Sequence, residues 1–419
     1  MKDVLKSKIL KNSVWLLILQ FVNTIVPMVT IPYVTRQLGT EMYGVFSACL
    51  NWIIYLQVLV EFGFGLTGAR KTAIIESQQE LNKLFNNIIS SRIVLLVFSF
   101  LIYLLISIIF HFSLQENICF LILFIIILGT TFQLTWLFQG KQDMKFITLI
   151  NCFSRFISTI LIFVFIKNKN MLYWYAFFYS FTILLSSIIS MIVVRKKYNL
   201  SFKFAGVNSI KNEIMDAKDL FYSSAMSKIF SSFGVTVLDF VSSKTIVGIY
   251  SAIYKIPYVL TMIFSPISQA IFPYISIKMK NDYNKGVIFL KRIFIPIIIL
   301  FSLIGLLIIA FRNEIVLILF GKEYSKYSII IIPLIVQLIL AIINNFLGVQ
   351  FLVATNNKKL YSNAFLKAVV IIVIANVLLG YFFDIIGVAV ATAVGELFLT
   401  LFLLRNVIKV GNEMRLNND

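Results

Sequence analysis

The chain has 419 residues, of which 60% are apolar, 41 are Phe and only 13% are charged; its mean hydropathy is +0.94. Soluble domains run at about 45–50% apolar and about 25% charged, so this composition excludes an ordinary water-soluble enzyme and reads as a membrane protein. Lys and Arg number 37 against 18 Asp and Glu, a net charge of +19, whose meaning depends on where the cations lie relative to the apolar runs.

The basic stretch Met1 to Lys11 precedes an apolar run with no small-residue cleavage site at its end. It predicts a retained first membrane helix over 12–35 rather than a removed signal. A second helix, 43–64, runs into Glu61-Phe62-Gly63-Phe64-Gly65-Leu66-Thr67-Gly68. That glycine spacing is not a nucleotide loop and predicts a tight turn at the membrane surface. Further apolar runs predict helices at 85–112, 117–139, 146–166 and 172–194. A basic connection, 195–218, follows and is the longest in the chain. Beyond it come 219–240, the most polar of the set, then 246–275, 288–310, 328–352, 361–383 and 385–405. The expected fold is an all-α polytopic membrane protein of about 12 transmembrane helices. The chain divides into an N-terminal lobe 1–194, a cytoplasmic basic linker 195–218 and a C-terminal lobe 219–419.

All seven prolines (Pro27, Pro32, Pro257, Pro266, Pro273, Pro296, Pro333) fall inside predicted helices. A soluble protein does the reverse, because proline removes a backbone donor; a membrane bundle tolerates the resulting kinks. Pro257 to Pro273 crowd one helix, either as a bent, moving element or as a fixed kink that aids packing. Two short matches relate the halves. Tyr43-Gly44-Val45-Phe46-Ser47-Ala48 corresponds to Val247-Gly248-Ile249-Tyr250-Ser251-Ala252, and Asn151-Cys152-Phe153-Ser154-Arg155 to Asn363-Ala364-Phe365-Leu366-Lys367. In order and at corresponding places, they point to two six-helix lobes. Six is even, so the pseudo-two-fold runs along the membrane normal.

Orientation follows from the loops. With the N-terminus inside, the inner connections hold Lys2, Lys6, Lys8 and Lys11; Arg70, Lys71 and Lys83; Lys141 and Lys145; and Arg195, Lys196, Lys197, Lys203, Lys211 and Lys218. They continue with Lys278, Lys280 and Lys285; Lys358 and Lys359; and Arg405, Lys409 and Arg415. The outer connections hold only Arg36, Lys167, Lys169, Lys244, Arg312, Lys322 and Lys326. Twenty-three against seven puts both termini in the cytoplasm. Most of the positive charge is thus a topology signal, and nucleic acid is excluded as a partner.

Seven cations are left within helices. Lys291 and Arg292 reach the interface by snorkelling, and Arg92 lies near enough the cytoplasm to do the same. Lys228 and Lys255 each lie nine residues into their helices, about 14 Å from the end they start at. In a hydrocarbon core about 30 Å thick that is near the midplane, where an ionised group costs about 2.5–3.5 kcal/mol on insertion scales. Arg155 is similarly central. The acids in or beside helices are Glu61, Asp239 and Glu396. Counted from the turn at 383–385, Lys367 and Glu396 differ in depth by about 7 Å, so Lys367 is either their ion pair's cation or a ligand. No acid matches the depth of Lys228 or Lys255 in an adjacent helix, and both point to a water-filled cationic cavity for an anionic group.

The remaining chemistry is sparse. His111, at a helix end, is a surface residue or a proton relay. Cys49, Cys119 and Cys152 lie in apolar runs without metal spacing or a disulfide framework. No metal, nucleotide or nucleophile motif is present, and no catalytic residue or cofactor is expected. Trp15, Trp136 and Trp174 fall near helix ends as interface anchors.

At Pro32-Tyr33-Val34-Thr35-Arg36-Gln37-Leu38-Gly39-Thr40-Glu41-Met42-Tyr43-Gly44-Val45, followed by Glu61 to Gly65 and Ala69-Arg70-Lys71, the chain resembles the bacterial polysaccharide-repeat-unit flippases. These are the O-antigen (Wzx-type) transporters of the multidrug, oligosaccharidyl-lipid and polysaccharide exporter superfamily, which includes the MATE-like carriers. The resemblance is strongest over about residues 10–75. It implies a non-enzymatic inner-membrane carrier that turns an undecaprenyl-diphosphate-linked oligosaccharide from the cytoplasmic to the periplasmic leaflet by alternating access, for O-antigen or capsule assembly. Besides that substrate and membrane lipids, a polysaccharide polymerase and a chain-length regulator are implied as partners.

The cationic cavity that such carriers enclose corresponds here to Lys228 and Lys255, with Arg92, Arg155 and Lys367 contributing field or structure. Helix one lacks the acid that many drug-exporting relatives use for coupling, which leaves Glu61, Asp239 and Glu396 as candidates for H+ or Na+ coupling. A multidrug exporter of the same fold would prefer acids in its cavity. A polytopic polymerase or ligase would want a large periplasmic loop, whereas the longest outer connection, about 311–327, offers only Arg312, Glu314, Lys322, Glu323 and Lys326. A passive channel would need no duplication.

Overall fold

The computed structural model describes the backbone of residues 2–416 and the side chains of residues 11–413. The side chains of Lys2, Lys6, Lys8 and Arg415, which enter the topology count, lie outside the described residues. The described chain is helical, without strands. It divides into two compact units, Met1–Lys228 and Ile229–Asp419. Among the described residues nine helical segments are long and apolar enough to cross a membrane.

The first unit contains α1 (Lys2–Glu61), α2 (Phe64–Ile74), α3 (Gln78–Ile109), α4 (Leu114–Leu123), α5 (Ile125–Phe132), α6 (Thr135–Gly140), α7 (Met144–Phe165), α8 (Leu172–Tyr198) and the start of α9 (Val207–Val241). Within α1 the two predicted helices meet at Gly39, where φ is 75° and ψ is 175°. Only glycine enters that region without strain. A Cβ at Gly39 would meet nothing within 4 Å, so Gly39→Ala tests the backbone alone. It is expected to cost about 1–3 kcal/mol, read as a lower thermal midpoint of the purified protein; an unchanged midpoint would mean another residue makes the break.

The apolar faces of this unit close around α1, α5, α7 and α8. Phe46 is buried against Tyr175 and Tyr179, with ring centroids 4.4 and 5.2 Å away. Close approach of α5 to α8 requires Gly129, whose Cβ would lie 2.9 Å from the backbone of Ile183. Trp136 departs from expectation: it is 1% exposed and packs on Gly68, because the chain turns inward as the short α6 instead of running out to the interface. Trp174 is exposed near the start of α8. Ser113 and Glu116 form a reciprocal capping box at the start of α4. The predicted turn at Phe62-Gly63 is present, with both residues at positive φ.

The second unit holds the rest of α9, then α10 (Lys244–Ile253), α11 (Lys255–Asn281), α12 (Tyr283–Ala310), α13 (Arg312–Leu319), α14 (Lys322–Ser325), α15 (Ile331–Asn345), a π-helical stretch Phe346–Val353 and α16 (Lys358–Leu416). The break between α10 and α11 falls at Tyr254. Pro257, lacking an N–H, leaves the Ile253 carbonyl without its helical donor and so locates the break. Pro266 and Pro273 sit inside α11 without interrupting it. Asp282 caps α12 by accepting from the Lys285 backbone N–H at 3.0 Å, a bond that holds its carboxyl below the usual carboxylate range. In α16 the two predicted helices meet at Asp384 (φ 51°, ψ −132°), whose carboxylate accepts from the Ser242 hydroxyl. The core lies between α11, α12, α15 and α16, with Phe346 against Phe264 and Phe294 at 6.1 and 5.0 Å.

Candidate functional site

In the first unit the end of α1 presents Gln57 and Glu61, one helical turn apart. Gln57 donates to Thr130 Oγ1 at 3.2 Å and approaches Glu61 Oε1 at 3.5 Å. Thr130 belongs to α5, which stops at Phe132; the chain runs extended at Gln133 before α6 begins. A helix end orphans its last carbonyls. Arg92 of α3 answers them: its guanidinium donates to the Thr130 and Gln133 carbonyls at 3.2 and 2.7 Å. Arg92 is 4% exposed, and its Nε is buried with no partner among the described residues. It therefore does not snorkel. The loss of helix at Gln133 supplies acceptors inside the unit, and the guanidinium stays with them.

Glu61 interacts electrostatically with both Arg92 and Lys228. The expectation that Lys228 faces no acid is thus corrected: Glu61 comes from α1, remote in sequence from helix α9. Lys228 and Glu61 are both exposed in the unit. Arg155, on α7, is half-buried beside Cys152.

In the second unit Lys255 opens α11 just after the break. It is half-buried, its Nζ lies 5.3 Å from the centroid of the Tyr258 ring, and no acid pairs with it among the described residues. Lys367 and Glu396 do not form the pair suggested by depth. Lys367 is exposed, with its Nζ 6.0 Å from the Phe402 ring centroid. Glu396 is 7% exposed and receives the Asn344 side-chain amide at 2.7 Å, with a further bond from that amide to its own carbonyl at 3.0 Å. Gln337 also hydrogen-bonds the carboxylate, and Tyr254 and Tyr361 lie within its field. A match in depth leaves the rotation of each side chain about its helix free, and the two side chains take different partners. Asp239 is engaged by Lys244 at 2.6 Å across the turn from α9 to α10.

Several polar groups in this unit escape a reading by charge. Gln350, fully buried in the π-helical stretch, donates to the Ser268 carbonyl and hydroxyl at 2.9 and 3.0 Å, and the Ser268 hydroxyl donates to Asn345 at 2.7 Å. The signal for them was Asn344, Asn345 and Gln350 recurring inside an otherwise apolar run. His111 is exposed in the turn after α3, at φ 52°, as a surface residue would be. The three cysteines are free thiols.

The polysaccharide biosynthesis protein family matches residues 9–279. Across nearly its whole length the chain is similar to curated relatives. One, from Escherichia coli (strain K12) and named for O-antigen transport, is 27% identical over 401 residues, covering 95% of this chain and 96% of that one. Another of the same name, from Shigella dysenteriae, is 25% identical over 409 residues, covering 95% and 99%. The solved structure of the lipid II flippase MurJ in an inward closed conformation has a TM-score of 0.71 at 17% identity, over 93% of this chain and 86% of that one. The chain shares that all-α, multi-pass membrane fold.

Proposed function

The chain belongs to the polysaccharide biosynthesis protein family, and from that premise we propose that it is a flippase rather than an enzyme. In this reading it turns an undecaprenyl-diphosphate-linked oligosaccharide from the cytoplasmic to the periplasmic leaflet of a bacterial inner membrane by alternating access, supplying O-antigen or capsule assembly. The full-length similarity to relatives named for O-antigen transport supports it. The observation that carries it is Lys255, a cation inside a membrane helix with which no acid pairs among the described residues.

The proposal has twelve crossings, in two lobes of six, with both termini cytoplasmic. Of the nine apolar segments, Lys11–Ile74 and Lys358–Glu413 have 64 and 56 residues. Each exceeds twice the roughly 20 residues of one crossing and contains a break. Counting both as double and adding the more polar 35-residue α9 gives twelve. The lobes are assigned as 1–194 and 219–419, joined by 195–218. The matched segments Tyr43 to Ala48 and Val247 to Ala252 are both buried, which supports the duplication.

Lys228 and Lys255 are the cations that meet the diphosphate or acidic sugars. Arg155 and Lys367 add field, and Arg92 holds structure. Binding must stay moderate, since a site that never releases its anion does not transport. For coupling, Glu396 is favoured over Glu61 and Asp239, which are opposed by Arg92 with Lys228 and by Lys244. A buried carboxylate held only by neutral amides needs a proton or Na+ to offset its charge. The test is reconstitution: liposomes carrying the protein and a lipid-linked oligosaccharide should expose the sugars to an external glycosidase, driven by an imposed proton or sodium gradient. Glu396→Gln should lose the gradient dependence. Sugars that stay protected in wild-type liposomes would refute the flippase reading. A polymerase and a chain-length regulator are the protein partners this role calls for.

A further inference from the structure

Between α8 and α9 the chain crosses α3 as an extended strap. The backbone N–H groups of Ser201, Lys203 and Ala205 donate to Asn82 Oδ1, Asn86 Oδ1 and Ser90 Oγ at 3.0, 2.9 and 2.9 Å. Every second residue of an extended chain thus meets every fourth residue of a helix, a match of the two periodicities. Beside the strap lies an open cavity of about 310 Å3, lined by Gln79, Asn82, Lys83, Asn86, Asn87 and Lys203, with no carboxylate in its wall.

The charge of that lining is one-sided. Asn82 and Asn86 turn their carbonyl oxygens to the strap, which leaves their NH2 groups as donors toward the cavity. Neither lysine ammonium has a partner among the described residues. A cavity of amide and ammonium donors without an acid selects an anion with several acceptor oxygens. Phe202, Phe204 and Val207 stand exposed on the same segment at 44%, 55% and 80%. Tyr198, four residues before Phe202, ends a membrane-length helix whose last turn is Arg195, Lys196 and Lys197. Exposed aromatics and lysines where the chain leaves a membrane helix belong at the level of lipid headgroups. We propose that this cavity binds the phosphate of an anionic phospholipid headgroup, with Phe202 and Phe204 seated in the interface beside it, so that the lipid fastens the strap to α3.

The experiment uses the full-length protein in nanodiscs of phosphatidylcholine with increasing phosphatidylglycerol. The thermal midpoint of the wild type should rise with phosphatidylglycerol. Lys83→Gln with Lys203→Gln should lose at least half of that rise. Lys211→Gln with Lys218→Gln, which changes two exposed lysines outside the cavity, should keep it. A flat wild-type response, or equal losses in the two variants, would overturn the site. The same rise with inorganic phosphate in pure phosphatidylcholine would overturn the lipid as its source. If the Lys83/Lys203 variant is unstable without phosphatidylglycerol, amine labelling of the wild type decides. Protection of Lys83 and Lys203 beyond that of Lys211 and Lys218 supports the site, and equal protection refutes it.

Discussion

Arg92→Ala is expected to lose about 3–5 kcal/mol of stability, the cost of removing one partner from a buried charged network. Without the guanidinium, the Gln133 carbonyl loses its donor and the Thr130 carbonyl keeps only the Gln133 backbone N–H at 3.3 Å; a buried acceptor left unpaired costs about 1–3 kcal/mol. No water from the hydrocarbon region can replace it. Glu61 also loses one of its two opposing cations. Arg92→Lys should recover part of the loss, since an ammonium reaches one carbonyl but lacks the planar fork that spans two. The measurement is the thermal midpoint in detergent alongside the yield of inserted protein. An Arg92→Ala protein that melts and transports like the wild type would show that the α5–α6 break holds itself.

Lys255→Ala should behave in the opposite way. Lys255 pairs with no acid among the described residues, so its loss strands no counter-charge. If Lys255 lies at the midplane as proposed, removing its ammonium relieves an insertion cost of about 2.5–3.5 kcal/mol, and the midpoint should hold or rise. Transport should fall at least tenfold, roughly 1.4 kcal/mol of lost anion binding by the relation of free energy to affinity, with surface polysaccharide lost in step. Lys255→Arg should keep much of the activity, because a cation remains. Lys228→Ala should likewise keep expression and lose surface polysaccharide. Normal polysaccharide from both alanine variants would remove the lysines from the substrate path.

What the sequence disclosed was whatever is one-dimensional. Apolar run length locates the helices, and the Glu61 to Gly68 stretch announces a turn through its glycines; the break at Gly39 falls in the gap between two apolar runs, and Pro257 marks a kink where the structure has a full break. The contact of Arg92 is not legible because Gln133 and Leu134 carry no such mark: no Gly or Pro says that a helix stops there and leaves a carbonyl for a guanidinium. Lys367 and Glu396 were matched in depth, but depth leaves the angle about each helix undetermined, and that angle sends Lys367 to Phe402 and Glu396 to Asn344. The meeting of Glu61 with Lys228 brings α1 to α9 and has no local signature. The π-helical stretch Phe346–Val353 changes the register that puts Gln350 on Ser268, which a regular 3.6-residue period does not foresee.

The most direct test of the flippase reading is made in a strain deleted for this protein and lacking its surface polysaccharide, by locating the lipid-linked repeat unit. Sugars are labelled or digested from the periplasmic side of spheroplasts. The expected result is that the repeat unit accumulates protected, on the cytoplasmic leaflet, and becomes accessible when the protein is expressed again. Normal-length lipid-linked units already accessible from the periplasm would contradict translocation and put the defect in polymerisation or ligation.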